Sequence, residues 1–201
     1  MFMAETSLRL ITTRGRRWRK VDNVPRVTVQ FVDAQEIIDQ NIPFIRRLQM
    51  STAQFRDNKT VEEDRYMADL FYIAPLYHLS LPALDNLIMM DASDLEFADS
   101  VELIHDQFKY LQGGKLIGLG LDLSSNYYIM LANYRNTNPD SMLGYPGEKQ
   151  GFNTGVVLYN LRDMRRSSLY NSYLKPDMVT MLAEKYKYPF TLAEQVRFSC
   201  S

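Results

Sequence analysis

Cysteine is nearly missing from this sequence. One thiol, Cys200, stands beside the last of 201 residues. A lone cysteine rules out a disulfide framework within the chain, so packing must hold the fold. It does not assign a compartment, because single-domain secretory enzymes can lack bridges. Nothing beside Cys200 marks it as an activated nucleophile. Long apolar runs are missing too. No stretch reaches the roughly 20 apolar residues needed to cross a bilayer. The opening Met-Phe-Met-Ala-Glu-Thr has no signal-peptide core, so any membrane anchor is expected outside this sequence. An excess of charge is missing as well: 23 Lys and Arg stand against 24 Asp and Glu, a net charge of -1. No global field therefore draws nucleic acid or an anionic membrane.

Histidine occurs only twice, at His78 and His105, without the spacing of a zinc site. His78 is expected to pack in the core with one nitrogen satisfied, and His105 to sit on a solvated helix face. Gly118 and Gly120 form Gly-Leu-Gly with no third glycine and no helix directly after. That argues against a dinucleotide fingerprint. The same glycines suggest a bulge or a close backbone approach in a strand. There is no internal repeat and no low-complexity tract.

What is present is a core. Hydrophobic residues make up 46% and aromatics 12%, which suits one folded domain of this length. Period-2 alternation predicts a strand over 26–33, and apolar runs predict strands over 84–90, 115–122 and 155–161. Helical spacing predicts helices over 34–50, 66–79, 99–111, 125–134, 169–173 and 176–186, with Pro43 and Pro75 as possible breaks. Residues 51–63 and 135–150 read as loop. Strands and helices alternate, so the class is α/β with a largely parallel or mixed sheet. Arg14, Arg16, Arg17, Arg19 and Lys20 surround Trp18 in a basic segment over 1–24. It reads as a solvated linker or helix face, with phosphate contact the lesser alternative.

One junction stands out. The run Leu-Ile-Met-Met stops on Asp91, and Asp94 follows three residues later. A capped, solvated strand end is one reading. The other is a cation or diphosphate site, since ligands of α/β sheets bind beyond the carboxyl ends of strands. Residues three apart on a strand do not share a face, so both carboxylates can hold one ion only if a bulge or turn rotates Asp94 back.

Five patterns together resemble one family. They are Ile-Ala-Pro-Leu-Tyr-His at 73–78, Leu-Ile-Met-Met-Asp-Ala-Ser-Asp-Leu-Glu-Phe at 87–97, Glu-Leu-Ile-His-Asp-Gln-Phe at 102–108, Gly-Phe-Asn-Thr-Gly-Val-Val-Leu-Tyr-Asn-Leu at 151–161 and Met-Arg-Arg-Ser-Ser-Leu-Tyr at 164–170. Over roughly Pro25 to Gln195 the chain resembles a retaining glycosyltransferase of family 8. It is most similar to members that add xylose from UDP-xylose, in α-1,3 linkage, to xylose–glucose on EGF-like repeats such as those of Notch.

The resemblance implies a GT-A, Rossmann-like α/β fold with a mostly parallel central sheet, incomplete here. It implies that Asp91 and Asp94 hold Mn2+, with hard oxygen ligands to suit that ion. It places Asn153 and Thr154 beside the sugar cleft and Gln195 near the reacting sugar, as substrate-binding and catalytic groups. A turn before a strand at Gly155 is the plain alternative for Asn153 and Thr154, and a frayed end for Gln195. The implied partners are UDP-xylose and an O-glycosylated EGF-like repeat, in the lumen of the endoplasmic reticulum, with a membrane-anchored parent.

Three departures accompany it. The family pair is Asp-x-Asp, whereas this chain has Asp-Ala-Ser-Asp. The family's metal-binding His has no counterpart in the tail Val-Arg-Phe-Ser-Cys-Ser at 196–201. No first strand and helix for uridine are evident in 1–24. A partial transferase domain over 25–195 is therefore expected. The alternatives are a family 8 enzyme using UDP-glucose or UDP-xylose on another acceptor, or an inactive truncated fragment.

Overall fold

The structure, a computed structural model, describes residues 2–4, 34–52, 72–91 and 95–186. The expected strand over 26–33, residues 53–63 of the expected loop and the basic cluster from Arg14 to Lys20 lie outside the described residues, as do Asp94 and Gln195, while Ser51 and Thr52 end a helix.

Four strands form one sheet: β1 (Phe2–Ala4), β2 (Asn86–Met90), β3 (Ile117–Leu121) and β4 (Phe152–Asn160). Their order is β1-β2-β4-β3, and each described pairing is antiparallel. The mostly parallel sheet expected from the sequence is not what these pairings form. β2 and β3 do run in the same direction, as a crossover unit requires, but β4 enters between them and pairs antiparallel with both. Only the two flanking strands keep the parallel relation.

Alternation sets the two faces. Leu87, Val157 and Tyr159 point into the main core, where Ile37, Ile38, Ile45, Ile73, Tyr77, Leu161, Met164 and Val179 meet them. Ile88 and Leu158 point the other way, against Leu111, with Ile104 and Phe108 packed alongside. Both faces of β2 and β4 are thus covered, which explains a run as apolar as Leu-Ile-Met-Met.

The main face is covered by helices. The first, α1 (Ala34–Thr52), runs through Pro43 without stopping and brings Ile37, Ile38 and Ile45 to the core. Residues 74–76 form a 3-10 turn at Pro75, leading into α2 (Tyr77–Ser80). The other face is covered by α3 (Glu102–His105) and a 3-10 segment over Asp106–Tyr110, a tighter continuation of the expected helix. His105 is half-buried there against Phe108, not fully solvated. The expected helix over 125–134 is two short ones, α4 (Asn126–Met130) and α5 (Ala132–Thr137).

After β4 the chain turns at once into α6 (Leu161–Arg166), then α7 (Ser168–Tyr173) and α8 (Pro176–Tyr186). Asn160 starts α6 by accepting the Asp163 N–H at 3.1 Å, and Ser167 starts α7 by accepting the Tyr170 N–H at 3.1 Å. No described helix is long and apolar enough to cross a membrane.

Candidate active site

The carboxyl ends of β2 and β3 and the amino end of β4 share one edge of the sheet, because β4 is antiparallel to both. Two of the family-like patterns meet there. Met90 pairs with Val156, and one step further the Asp91 N–H donates to the Gly155 carbonyl at 2.8 Å. The exposed Asp91 side chain therefore stands beside the Gly-Phe-Asn-Thr-Gly segment, over sixty residues away in sequence.

On its other side β4 parts from β3. The ladder steps from Leu119–Val157 to Gly120–Asn153, so Thr154 to Val156 oppose no residue of β3. The bulge that the two glycines suggested falls between Leu119 and Gly120. Gly118 is also a close approach, since a Cβ there would stand 3.3 Å from the Leu158 Cβ. Where the strands part, a cleft of about 520 Å³ opens against the 3-10 segment. Gln107, Tyr110, Gly120, Asn153 and Gly155 are among its lining.

Asn153 lies at this cleft and is exposed. Its Oδ1 accepts the Gly155 N–H at 2.8 Å, a local bond that stiffens the strand start. The strand begins at Phe152, so Asn153 sits inside it and not in a turn ahead of Gly155. Thr154 is only 4% exposed and offers a ligand almost no surface in this arrangement.

The loop leading to Asn153 is fixed by two residues that carry no motif. The Tyr127 hydroxyl donates to the Phe152 carbonyl at 3.0 Å, and its ring packs over Gly151, whose φ is +97°. Arg135 is buried. Its guanidinium donates to the Leu143 carbonyl at 2.9 Å and to the Tyr128 carbonyl, and stacks 4.1 Å from the Tyr128 ring centroid and 5.3 Å from that of Tyr145. Carbonyl dipoles and aromatic faces thus solvate its charge. Sequence spacing gave no hint of this clamp, because Tyr127 and Arg135 lie on different short helices.

Two further family-like patterns join away from the edge. Arg165 donates to the carbonyls of His78 at 3.1 Å and Leu84 at 2.8 Å, and the Tyr170 hydroxyl donates to the Pro75 carbonyl at 2.9 Å. His78 is fully buried, with Nε2 3.0 Å from Asn171 Oδ1. Asn171 spends its amide N–H groups on the Met164 and Ser167 carbonyls at 3.0 and 2.7 Å. Its oxygen must then accept, so His78 carries its proton on Nε2. Burial lowers the His78 pKa, outweighing Asn171 and the Pro75 carbonyl, which act the other way, while the Arg165 charge lowers it further. This histidine is a core residue with one satisfied nitrogen, as expected.

Asp91 is a hard oxygen ligand suited to manganese or magnesium, but among the described residues no three His, Cys, Asp or Glu side chains gather to hold an ion. Among the described residues, Asp91 is the exposed carboxylate at this edge that could bind a cation, with oxygens of a ligand completing the set. An isolated carboxylate beside a diphosphate is repulsive unless a cation lies between them, so the donor set fits a shared ion better than a preformed cage.

No family model matches the sequence. Two curated proteins do. Human xyloside xylosyltransferase 1 is 31% identical over 137 residues, and the mouse protein of the same name 30% identical over 137 residues. Each match covers 67% of this chain and 35% of the relative, so the chain spans about a third of the length of the curated relatives it matches. The crystal structure of mouse xyloside xylosyltransferase 1 in its apo form superposes with a TM-score of 0.77 at 26% identity. It covers 87% of this chain and 59% of that one. The chain is homologous to xyloside xylosyltransferase 1 and shares its α/β fold. That agrees with the family 8 glycosyltransferase that the five motifs resemble.

Proposed function

We propose that this homologue of xyloside xylosyltransferase 1 carries the donor side of a xylosyltransferase site. It would take xylose from UDP-xylose and pass it, with retention and in α-1,3 linkage, to a xylose–glucose glycan on an EGF-like repeat. The observation that supports this reading most is the hydrogen bond from the Asp91 N–H to the Gly155 carbonyl. It brings the carboxylate and the Gly-Phe-Asn-Thr-Gly segment to the edge where α/β sheets bind nucleotides.

In this reading Asp91 and Asp94 would hold a manganese ion. When bound, the ion offsets charge on the departing diphosphate. Asn153 keeps its Oδ1 on Gly155, which leaves its amide group to donate to a sugar hydroxyl. Tyr127 and Arg135 hold the loop that delivers Asn153. Thr154 would reach a sugar only after the strand start shifts, and Gln195 would orient donor or acceptor. The lumen of the endoplasmic reticulum is the compartment where such an acceptor would be met.

A thermal melt with and without manganese plus UDP-xylose tests the reading. A ligand that binds only the folded state at a hundredfold excess over its Kd adds about 2.7 kcal/mol of stability. A manganese-dependent rise in Tm that disappears in Asp91→Ala is expected. A cooperative melt without any shift would overturn the donor site. A larger shift with UDP-glucose would reassign the sugar. A folded domain without turnover is the second reading, and the same melt with no ligand-dependent shift would favour it.

A further inference from the structure

The bulge between Leu119 and Gly120 divides the β3–β4 ladder in two. Before it the strands pair through Ile117–Tyr159, Gly118–Leu158 and Leu119–Val157; beyond it they pair through Gly120–Asn153 and Leu121–Phe152. The second patch carries Asn153, and packing does little to fix it. Gly120 has no side chain, and a Cβ built there meets nothing within 4 Å. Leu121 is 59% exposed. Register is weakly specified in a short, glycine-bearing stretch that lacks a packed face. A slip by one residue would turn Asn153 to the opposite face and give its place to Thr154, which is now buried.

Polar bonds at the end of the patch supply what packing does not. The Asp122 N–H donates to the Gly151 carbonyl at 3.1 Å. The Asp122 carbonyl accepts from Gln150 Nε2, a side-chain amide in place of a backbone one. Gln150 Oε1 accepts the Gly147 N–H at 2.8 Å, so both ends of that amide are held. Asp122 is fixed in turn: it is buried, and its Oδ1 accepts the Ser124 N–H at 2.7 Å. Tyr127 holds the same segment at Phe152, but to α4 and not to β3.

We propose that Gln150 is a positioning residue that sets the register of Asn153. Its bond to the Asp122 carbonyl pins the start of β4 to the end of β3, three residues before Asn153. That pin decides that Asn153, and not Thr154, stands opposite Gly120 and at the cleft. Gln150 would then act on a bound sugar through Asn153 and leave the nucleotide untouched. This last consequence rests on the transferase reading above, whereas the register lock does not.

Two variants test the lock. Gln150→Met keeps the length of the side chain and loses both bonds. Gln150→Glu keeps an acceptor for Gly147 and loses the donor to Asp122, and it carries the test where Gln150→Met folds poorly. Nuclear Overhauser contacts between Gly120 and Asn153 report the register with no ligand present. Both variants are expected to weaken them and to gain contacts from Gly120 to Thr154. In isothermal titration both should lose about fivefold in affinity for UDP-xylose, with UDP unchanged. That loss should not add to the loss in Asn153→Ser, because one residue acts through the other. Gly120–Asn153 contacts that persist at full strength in either folded variant would overturn the lock. Equal losses for UDP and UDP-xylose, or losses that add to those of Asn153→Ser, would overturn the positioning role. An unsubstituted chain that does not bind UDP-xylose overturns the transferase reading alone, and the Overhauser contacts still decide the lock.

Discussion

His78 donates from Nε2 to Oδ1 of Asn171 at 3.0 Å, and this bond ties the Ile-Ala-Pro-Leu-Tyr-His segment to α7, the helix in which Met-Arg-Arg-Ser-Ser-Leu-Tyr ends. The T-shaped contact of His78 with Tyr170, 5.3 Å between centroids, and the Tyr170 hydroxyl on the Pro75 carbonyl complete the joint. Two motifs that resemble a catalytic family thus owe their residue types to architecture. They hold the helices on which the main face of the sheet rests.

The pH dependence of stability follows from that joint. The folded pKa of His78 lies below its unfolded value near 6.5, because burial disfavours the charged ring. The unfolded chain therefore binds the proton more readily. The contribution of His78 is fully present above pH 6.5 and is lost as pH falls from there towards the folded pKa. Urea unfolding at a series of pH values should show a decline below pH 6.5 that is shallower in His78→Gln. Parallel declines in the two proteins would remove His78 as the cause.

Arg165 meets two kinds of partner, and they should separate. It donates to the carbonyls of His78 and Leu84 in part-buried surroundings, whereas Asp85, 58% exposed, lies 3.5 Å from it and 3.8 Å from Arg162. Exposed ion pairs contribute little, so Asp85→Asn should cost under about 0.5 kcal/mol. Arg165→Ala leaves part-buried carbonyls without donors and should cost about 1–2 kcal/mol. Denaturant titration at low and high salt checks both, since high salt should erase the first difference and leave most of the second.

Much of this frame was legible from residue pattern. The stripe at Val179 and Leu182 foretold α8, with Pro176 at its first position. The apolar block at 87–90 foretold β2. Strand direction was not legible, because burial on both faces leaves the same apolar signature whether neighbours run parallel or antiparallel. β4 arrives from beyond residue 150 to lie between β2 and β3, and nothing local announces that. The helix α6 was hidden for another reason. It follows β4 with no Gly or Pro between, and its only signal is Asn160 at the cap. At the site, Asp91 and Asn153 could be singled out by type and by resemblance. Tyr127, Arg135 and the cleft depend on tertiary contacts that no spacing encodes.

Gly151 and Gly147 form a controlled pair. Both have positive φ, +97° and +81°, where an L side chain is strained. A Cβ at Gly151 would stand 2.6 Å from the Tyr127 ring, whereas one at Gly147 meets nothing within 4 Å. Gly147→Ala should cost about 1 kcal/mol from backbone strain alone. Gly151→Ala adds a clash with a buried ring that is itself bonded to Phe152, and should cost about 3 kcal/mol. Equal costs in chemical denaturation would mean that the ring yields freely, and the clamp on the Asn153 segment would then be loose.

Asn153 carries two separable duties, and one substitution divides them. Its Oδ1 caps the Gly155 N–H, while its amide group donates to nothing among the described residues. A serine hydroxyl can make the same two-residue bond, more weakly, but offers no amide. Asn153→Ser should therefore lower stability by under about 1 kcal/mol, because the lost bond is exposed and partly replaced. If the amide contacts the donor sugar, nucleotide-sugar affinity should fall about tenfold, in keeping with one buried hydrogen bond to a ligand. UDP alone should bind as before, since it lacks the sugar. Isothermal titration of UDP and UDP-xylose against both proteins reads this directly. Unchanged affinity for UDP-xylose would leave Asn153 as a strand cap and nothing more.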